Sequence, residues 1–288
     1  MSGEAGNTRG AVVITGASTG IGRASALHLD ALGFRVFAGV RKAADGEALT
    51  RDASDRLTPL SIDVTDAASI EAAAKEVAGA LGGGGISGLV NNAGIVVSGP
   101  LEFVPMDELR MQMEVNFFGL VAVTQAFLPL VRKAKGRIVN VSSIGGKVST
   151  PFLSPYAASK HAVEGLSDSL RRELRSLGVF VSLIEPGAVA TPIWEKGKAA
   201  AEDRRAQLSE DANALYGAAM GKLQEAVGKV EKGAIPPEEV AKAIAHALTS
   251  DRPKTRYLVG IEAKVQNALS SILSDRMLDG FLARFLGI

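Results

Sequence analysis

The 288-residue chain predicts a doubly wound α/β fold: a seven-stranded parallel sheet with helices on both faces. Three observations predict it. Short apolar runs alternate with helix-length segments, which is the signature of βαβ units. The first run ends in a glycine-rich turn that opens a helix. No internal repeat, charge block or low-complexity linker divides the chain, so residues 1–288 read as one domain.

The elements follow in order. Ala11-Val12-Val13-Ile14 is the first strand and runs into Thr15-Gly16-Ala17-Ser18-Thr19-Gly20-Ile21-Gly22. A helix spans Ile21 to Leu32 and stops at Gly33. Further strands are expected at 35–40, 57–62 (ending at Asp63), 88–90 (entering Asn91-Asn92-Ala93-Gly94), 137–142, 179–184 and 255–259. Helices are expected at 43–53, 67–81, 107–134 and from Ser154 to about Leu177. Right-handed crossovers between such strands produce a doubly wound sheet.

Composition narrows the chemistry. Nearly half the residues are apolar and the formal charge is +1, so a large core is possible and no nucleic-acid partner is implied. The absence of cysteine excludes disulfides and thiol catalysis and fits a cytoplasmic setting. His28, His161 and His246 lack ligand spacing, so no metal is expected. The uncharged run Val115–Val131 holds Asn116, Thr124, Gln125 and Pro129; it reads as a buried helix, and no transmembrane segment is expected.

Ser154 to Leu166 reads as a helix start, with Ser154 as N-cap and Pro155 in the first turn. Tyr156 and Lys160 are four residues apart and rise from one face. A phenol has a reference pKa of about 10, and a nearby ammonium lowers it; three units need roughly 4 kcal/mol. Alone, the pair could equally belong to an ordinary amphipathic helix. The glycines at 16, 20 and 22 likewise fit a phosphate cradle or a ligand-free tight turn.

The motifs taken together are more specific. Thr15-Gly16-x-x-x-Gly20-x-Gly22, Asp63-Val64, Asn91-Asn92-Ala93-Gly94, Asn116, Ser143, Tyr156-x-x-x-Lys160 and Pro186-Gly187-x-x-x-Thr191 occur in this order, with Ser143 thirteen positions before Tyr156. In this the chain resembles the short-chain dehydrogenase/reductase family, over nearly its whole length. The resemblance implies a Rossmann-type oxidoreductase. Tyr156 would exchange a proton with the substrate oxygen, Ser143 would orient that oxygen, and Lys160 would lower the tyrosine pKa and bind ribose. Asn116 would hold a relay water. Gly16, Ser18, Thr19, Gly20, Ile21 and Gly22 would meet the cofactor, as would Asp63, Val64, Asn92, Ala93, Gly94, Pro186, Gly187, Val189 and Thr191. A homodimer or homotetramer is also expected.

NAD enzymes place a carboxylate at the end of the second strand; here Val40 is followed by Arg41, which suits a 2′-phosphate. NADP(H) is therefore expected over NAD(H), although Thr19 stands where some relatives carry a second base. Residues 192–236 read as an amphipathic helix or helix pair, with Leu208, Ala212, Leu215, Ala219, Leu223 and Val227 as its stripe and Trp194 nearby; its place in the chain resembles the family's helical substrate lid. The tail resembles the hydroxysteroid and retinol dehydrogenase branch. A small-molecule lipophilic substrate is expected, a bulky steroid- or retinoid-like alcohol or ketone, though Lys147 and Lys196 lie close by in sequence. The alternatives are a 3-oxoacyl-thioester or small-carbonyl reductase, and a non-catalytic dinucleotide-binding regulator.

Overall fold

The computed structural model describes residues 9–193, 197 and 210–286. Its strands are β1 (Ala11–Ile14), β2 (Arg35–Val40), β3 (Leu57–Ser61), β4 (Gly88–Asn91), β5 (Arg137–Val141), β6 (Phe180–Pro186) and β7 (Arg256–Val259). They form the expected seven-stranded sheet in the order β3-β2-β1-β4-β5-β6-β7, parallel at every pairing. The helices are α1 (Gly20–Ala31), α2 (Ala43–Thr50), α3 (Ala67–Ala80), α4 (Met106–Met113), α5 (Gly119–Lys133), α6 (Ser154–Glu173), α7 (Glu210–Lys232), α8 (Pro237–Thr249), α9 (Ile261–Ile272) and α10 (Asp275–Leu286).

Side chains alternate across each strand, so β1 feeds two cores. Val12 and Ile14 join Leu29 of α1 and Val240, Ile244 and Leu248 of α8. Ala11 and Val13 join Val77 of α3 and Val123, Phe127 and Val131 of α5. Burial on both faces explains the near-continuous apolar strands. It also places α8 on α1, a contact between segments about two hundred residues apart that no local pattern encodes.

Several local features differ from expectation. Ser154 is the first residue of α6 rather than its cap, which is Leu153. The long helix expected at 107–134 is α4 and α5 joined by a π turn at Glu114–Phe118. This continuous Met106–Lys133 helix is long and apolar enough to cross a membrane; here Val123, Phe127 and Val131 are fully buried against the sheet. A short parallel bridge between Val189 and Ile235 closes the base of the 192–236 insertion. It is held by Ala190 N to Ile235 O at 2.9 Å and Ile235 N to Ala188 O at 3.0 Å. Trp194, Lys196 and Leu208 lie outside the described residues.

Phe127 is fully buried where α5 meets the sheet. Phe127→Ala is expected to lower unfolding free energy by about 3–5 kcal/mol, through lost burial and an unfilled cavity. Equilibrium denaturant unfolding measures this.

Candidate active site

The carboxyl ends of β1 and β4 sit where the winding of the sheet reverses, so a crevice opens between them. Thr15 and Asn92 stitch its floor. The Thr15 hydroxyl accepts the amides of Asn92 at 3.0 Å and Ala93 at 3.1 Å. Asn92 Nδ2 donates to the carbonyls of Thr15 and Gly16, each at 3.0 Å. The Asn92 side chain thus braces the glycine turn instead of lying free along the crevice. Gly16 and Gly20 have φ of 67° and 56°, and a Cβ at Gly22 would stand 2.1 Å from the Gly16 carbonyl oxygen. Only glycine permits this turn beneath the N-terminus of α1.

That end of α1 presents the positive pole of a 12-residue helix. Thr19, exposed at the cap position, makes no capping bond with its side chain. Arg41 is exposed just beyond β2. The Asp63 carboxylate accepts Thr65 N at 2.9 Å and Thr65 Oγ1 at 2.8 Å. Those bonds, chiefly the backbone one, hold its pKa below the ordinary value, and the charge of Arg41 assists. Val64 packs under α5, where Gly119 allows close approach: a Cβ there would stand 2.7 Å from the Val64 carbonyl oxygen. Across the crevice, Thr191 packs on Gly20. Gly187 N donates to Val259 O at 3.1 Å, which fixes the loop after Pro186. Glycine turn, helix pole and Arg41 fit a phosphorylated dinucleotide.

Ser143, Tyr156 and Lys160 come together beside this crevice. Ser143 caps a 3₁₀ turn, Ile144–Gly146, by accepting Gly145 N at 3.0 Å. Its hydroxyl and the Tyr156 ring both flank Gly145, where a Cβ would stand 3.4 Å from Ser143 Oγ. The Tyr156 ring lies against Gly145, where a Cβ would stand 3.2 Å from Cε1. Burial pushes the Tyr156 hydroxyl above its ordinary pKa, and the Ser143 bond opposes this. Lys160 Nζ lies 5.8 Å from the ring centroid and donates to Val141 O at 2.9 Å. In the polypeptide alone the net direction for Tyr156 is upward, opposite to the expected lowering, with burial as the larger cause. Burial brings the Lys160 amine down to about 8, against the raising effect of Glu164.

Asn116 stands within the π turn and is buried. Its Oδ1 accepts Ile95 N at 2.9 Å, and its Nδ2 donates to Ile95 O and Ser159 Oγ, each at 3.1 Å. Ser159 in turn donates to the Tyr156 carbonyl at 2.7 Å. Gln112, one α-turn earlier, holds the same loop through Val97 N at 2.6 Å and Ile95 O at 2.9 Å. Sequence reading missed Gln112 and Ser159. Their only signal was a polar residue on an otherwise packed helix face.

Tyr216 of α7 meets Phe103 and Phe152 edge-on, with ring centroids 5.9 and 6.3 Å away. Its hydroxyl donates to Glu102 at 3.0 Å. Phe152 holds a left-handed φ of 64°, a costly conformation for an aromatic residue. Leu215, expected on the apolar stripe, is 69% exposed. The inward line runs instead through Ala212, Tyr216, Ala219 and Leu223.

Lys147 is committed elsewhere. Its Nζ lies 3.2 Å from Glu164 Oε2 and 3.9 Å from Glu185 Oε1. Arg256 of β7 reaches the same carboxylates at 3.1 and 3.0 Å and Asp168 at 3.0 Å. Glu185 is 1% exposed, and burial together with the charge of Glu164 pushes its carboxyl up to about 7.

The fold and this site define a dinucleotide-binding oxidoreductase, and the comparisons with known proteins agree. The family pattern described as short chain dehydrogenase matches residues 10–202. The chain belongs to the short-chain dehydrogenase/reductase family, in its hydroxysteroid/retinol branch, and is an NAD(P)-dependent enzyme acting on the CH–OH/C=O pair. It is 39% identical to an NADPH-dependent 3-dehydrocapnine reductase of Ornithobacterium rhinotracheale, covering 93% of this chain and 94% of that one. Retinol dehydrogenase 16 of Mus musculus is 38% identical, with 94% and 87% covered. The mitochondrial D-beta-hydroxybutyrate dehydrogenase of Rattus norvegicus is 40% identical, with 86% and 76% covered. A short chain dehydrogenase from Burkholderia cenocepacia, solved in complex with NADP, superposes with a TM-score of 0.72 at 27% identity, with 97% and 98% covered.

The raised carboxyl of Glu185 makes stability depend on pH. Folding favours its protonated form, so this group's contribution is full below the ordinary carboxylate pKa and is lost as pH rises through about 7. Glu185→Gln mimics the neutral form at every pH. The variant is expected to match the parent near pH 4 and to melt at higher temperature than the parent near pH 8.5. Thermal melts across that range measure the gap.

Proposed function

We propose that the protein is an NADP(H)-dependent oxidoreductase interconverting a lipophilic secondary alcohol and its ketone. The observation that carries the reading is the convergence of Ser143, Tyr156 and Lys160: the Ser143 hydroxyl and the Tyr156 ring both flank Gly145, and buried Lys160 stands one helical turn on. Tyr156 gives or takes the proton of the substrate oxygen, and Ser143 orients that oxygen. Lys160 supplies the positive charge and holds ribose hydroxyls; Asn116 fixes the loop beside them. The bound nicotinamide supplies or accepts the hydride. Residues 16–22, Arg41, Asp63, Val64, 92–94 and 186–191 hold the cofactor along its length.

Three features support a lipophilic substrate. Tyr216 packs with Phe103 and Phe152, which follow β4 and β5 at the carboxyl end of the sheet where Ser143 also lies. Lys147 is paired with carboxylates, so it is not a free cation for a substrate anion. One similar protein is a retinol dehydrogenase. Apolar burial gains roughly 25 cal/mol per Å², so affinity grows with substrate bulk. The rival reading is a short hydroxy acid, after the hydroxybutyrate dehydrogenase relative.

A graded series of cyclic ketones assayed with NADPH tests the reaction. kcat/KM is expected to rise with apolar bulk, and Tyr156→Phe to lower kcat by about 10²–10⁴-fold with NADPH binding retained. A preference for short oxo acids, or near-parental turnover in Tyr156→Phe, refutes the proposal. Preservation of NADPH binding with no turnover of any carbonyl compound would favour a regulator.

Cofactor choice has its own test. Val40 supplies no carboxylate, and Arg41 offers a planar donor fork for a 2′-phosphate. Both the dehydrocapnine reductase's NADPH dependence and the Burkholderia complex with NADP support this preference. The double change Val40→Asp with Arg41→Ala is expected to shift the NADPH-to-NADH affinity ratio by about tenfold or more toward NADH, the loss of a charge-assisted pair. Fluorescence titration with each cofactor measures it.

A further inference from the structure

Four segments of the candidate site converge on one buried ionic cluster. Lys147 follows the 3₁₀ turn that carries Ser143. Glu164 lies one turn beyond Lys160 on α6. Glu185 immediately precedes Pro186-Gly187 at the end of β6. Arg256 comes from β7 and joins Glu164, Glu185 and Asp168, while Arg171 bonds the other oxygen of Asp168 at 3.0 Å. From α9, Glu262 brings a carboxylate oxygen to 3.6 Å from where a Gly187 Cβ would stand.

The Ser143 loop lies pressed on α6. A Cβ on Gly145 would stand 3.2 Å from the Tyr156 ring, and one on Gly146 would stand 3.1 Å from Glu164 Cγ and 3.1 Å from the Lys160 carbonyl oxygen. Two bare glycines allow that approach but supply no side chain to hold it. The next residue, Lys147, does, through its 3.2 Å pair with Glu164.

We propose that Lys147 is a positioning residue, whose ion pair with buried Glu164 clamps the Ser143 loop onto the helix bearing Tyr156 and Lys160. The proposal rests on the reading of Ser143 and Tyr156 as the reacting pair. Arg256 serves the clamp from the opposite side, holding Glu164 and Glu185 in place for the lysine. Lys147 is itself 28% exposed and Glu164 keeps Arg256 as partner. Removing the lysine charge therefore loosens the loop without leaving a carboxylate alone in the interior.

The test compares the full-length parent with Lys147→Met and Lys147→Arg. Hydrogen exchange of peptides spanning 142–148 is read beside peptides from β1 and α1. Turnover is followed with NADPH and 2-decalone, a bulky cyclic ketone. Lys147→Met is expected to speed exchange severalfold in 142–148 alone and to lower kcat about tenfold through misplacement of Ser143. KM and NADPH affinity should stay within about twofold by the same geometric reasoning. Lys147→Arg should restore both protection and kcat. Unchanged exchange in Lys147→Met overturns the proposal, as does a raised KM with kcat intact, which would make the lysine a substrate anchor. Should the parent turn over no ketone, the functional reading fails, and the exchange measurement alone still decides whether Lys147 clamps the loop.

Discussion

Burial of the sheet on both faces is the constraint from which the rest of the structure follows. Each residue of β1 is buried, and alternate side chains enter two separate cores. Main-chain donors and acceptors of the central strands are committed to parallel neighbours on either side. A strand with no exposed face and no spare backbone group has no room for chemistry along its length. Reactive and polar groups are displaced to the carboxyl ends, where Thr15, Asn92, Ser143 and Pro186 fall within a few residues of strand termini. The reversal of winding between β1 and β4 opens the crevice at that same end.

Several side-chain amides that enter the interior are paired, and the pairings join the strand ends to their helices. Asn91 Nδ2 donates to Asn140 and to Thr124 of α5, each at 2.9 Å. Asn140 donates to Ser167 of α6 at 2.8 Å. Asn116, Ser159 and Gln112 do the same for the loop after β4. The π turn at Asn116 shifts the helical register by one residue, a feature that recurs at functional sites. A satisfied buried amide is both rigid and costly to disrupt, which suits groups that set the position of a tyrosine hydroxyl.

Electrostatics at the site is a contest between burial and neighbours. Burial acting alone discourages charge on both Tyr156 and Lys160. Ser143 counters it for the phenol, and Glu164 counters it for the amine. Glu164 is itself held by Lys147 and Arg256, so the charge behind the reacting group depends on residues from two other segments. Glu185 shows the limit of such compensation: with Glu164 adjacent, its carboxyl retains a proton into the neutral range.

Much of this was legible along the chain because it is local. Apolar runs, the glycine turn and the Tyr156-to-Lys160 spacing depend on residues within a few positions of each other, where periodicity and backbone sterics leave little choice. The sequence by itself determined the sheet and its alternating helices through patterns no longer than one βαβ unit, and the candidate reacting residues through the order of motifs along the chain and the family resemblance they carry. Tertiary structure alone decided that Asn92 braces the glycine turn, that Leu215 faces outward, and that Lys147 meets Glu164, Glu185 and the distant Arg256 in one buried cluster. Those outcomes depend on which partners converge in space, and charge pairing across 92 positions of chain, from Glu164 to Arg256, leaves no periodic trace in the sequence.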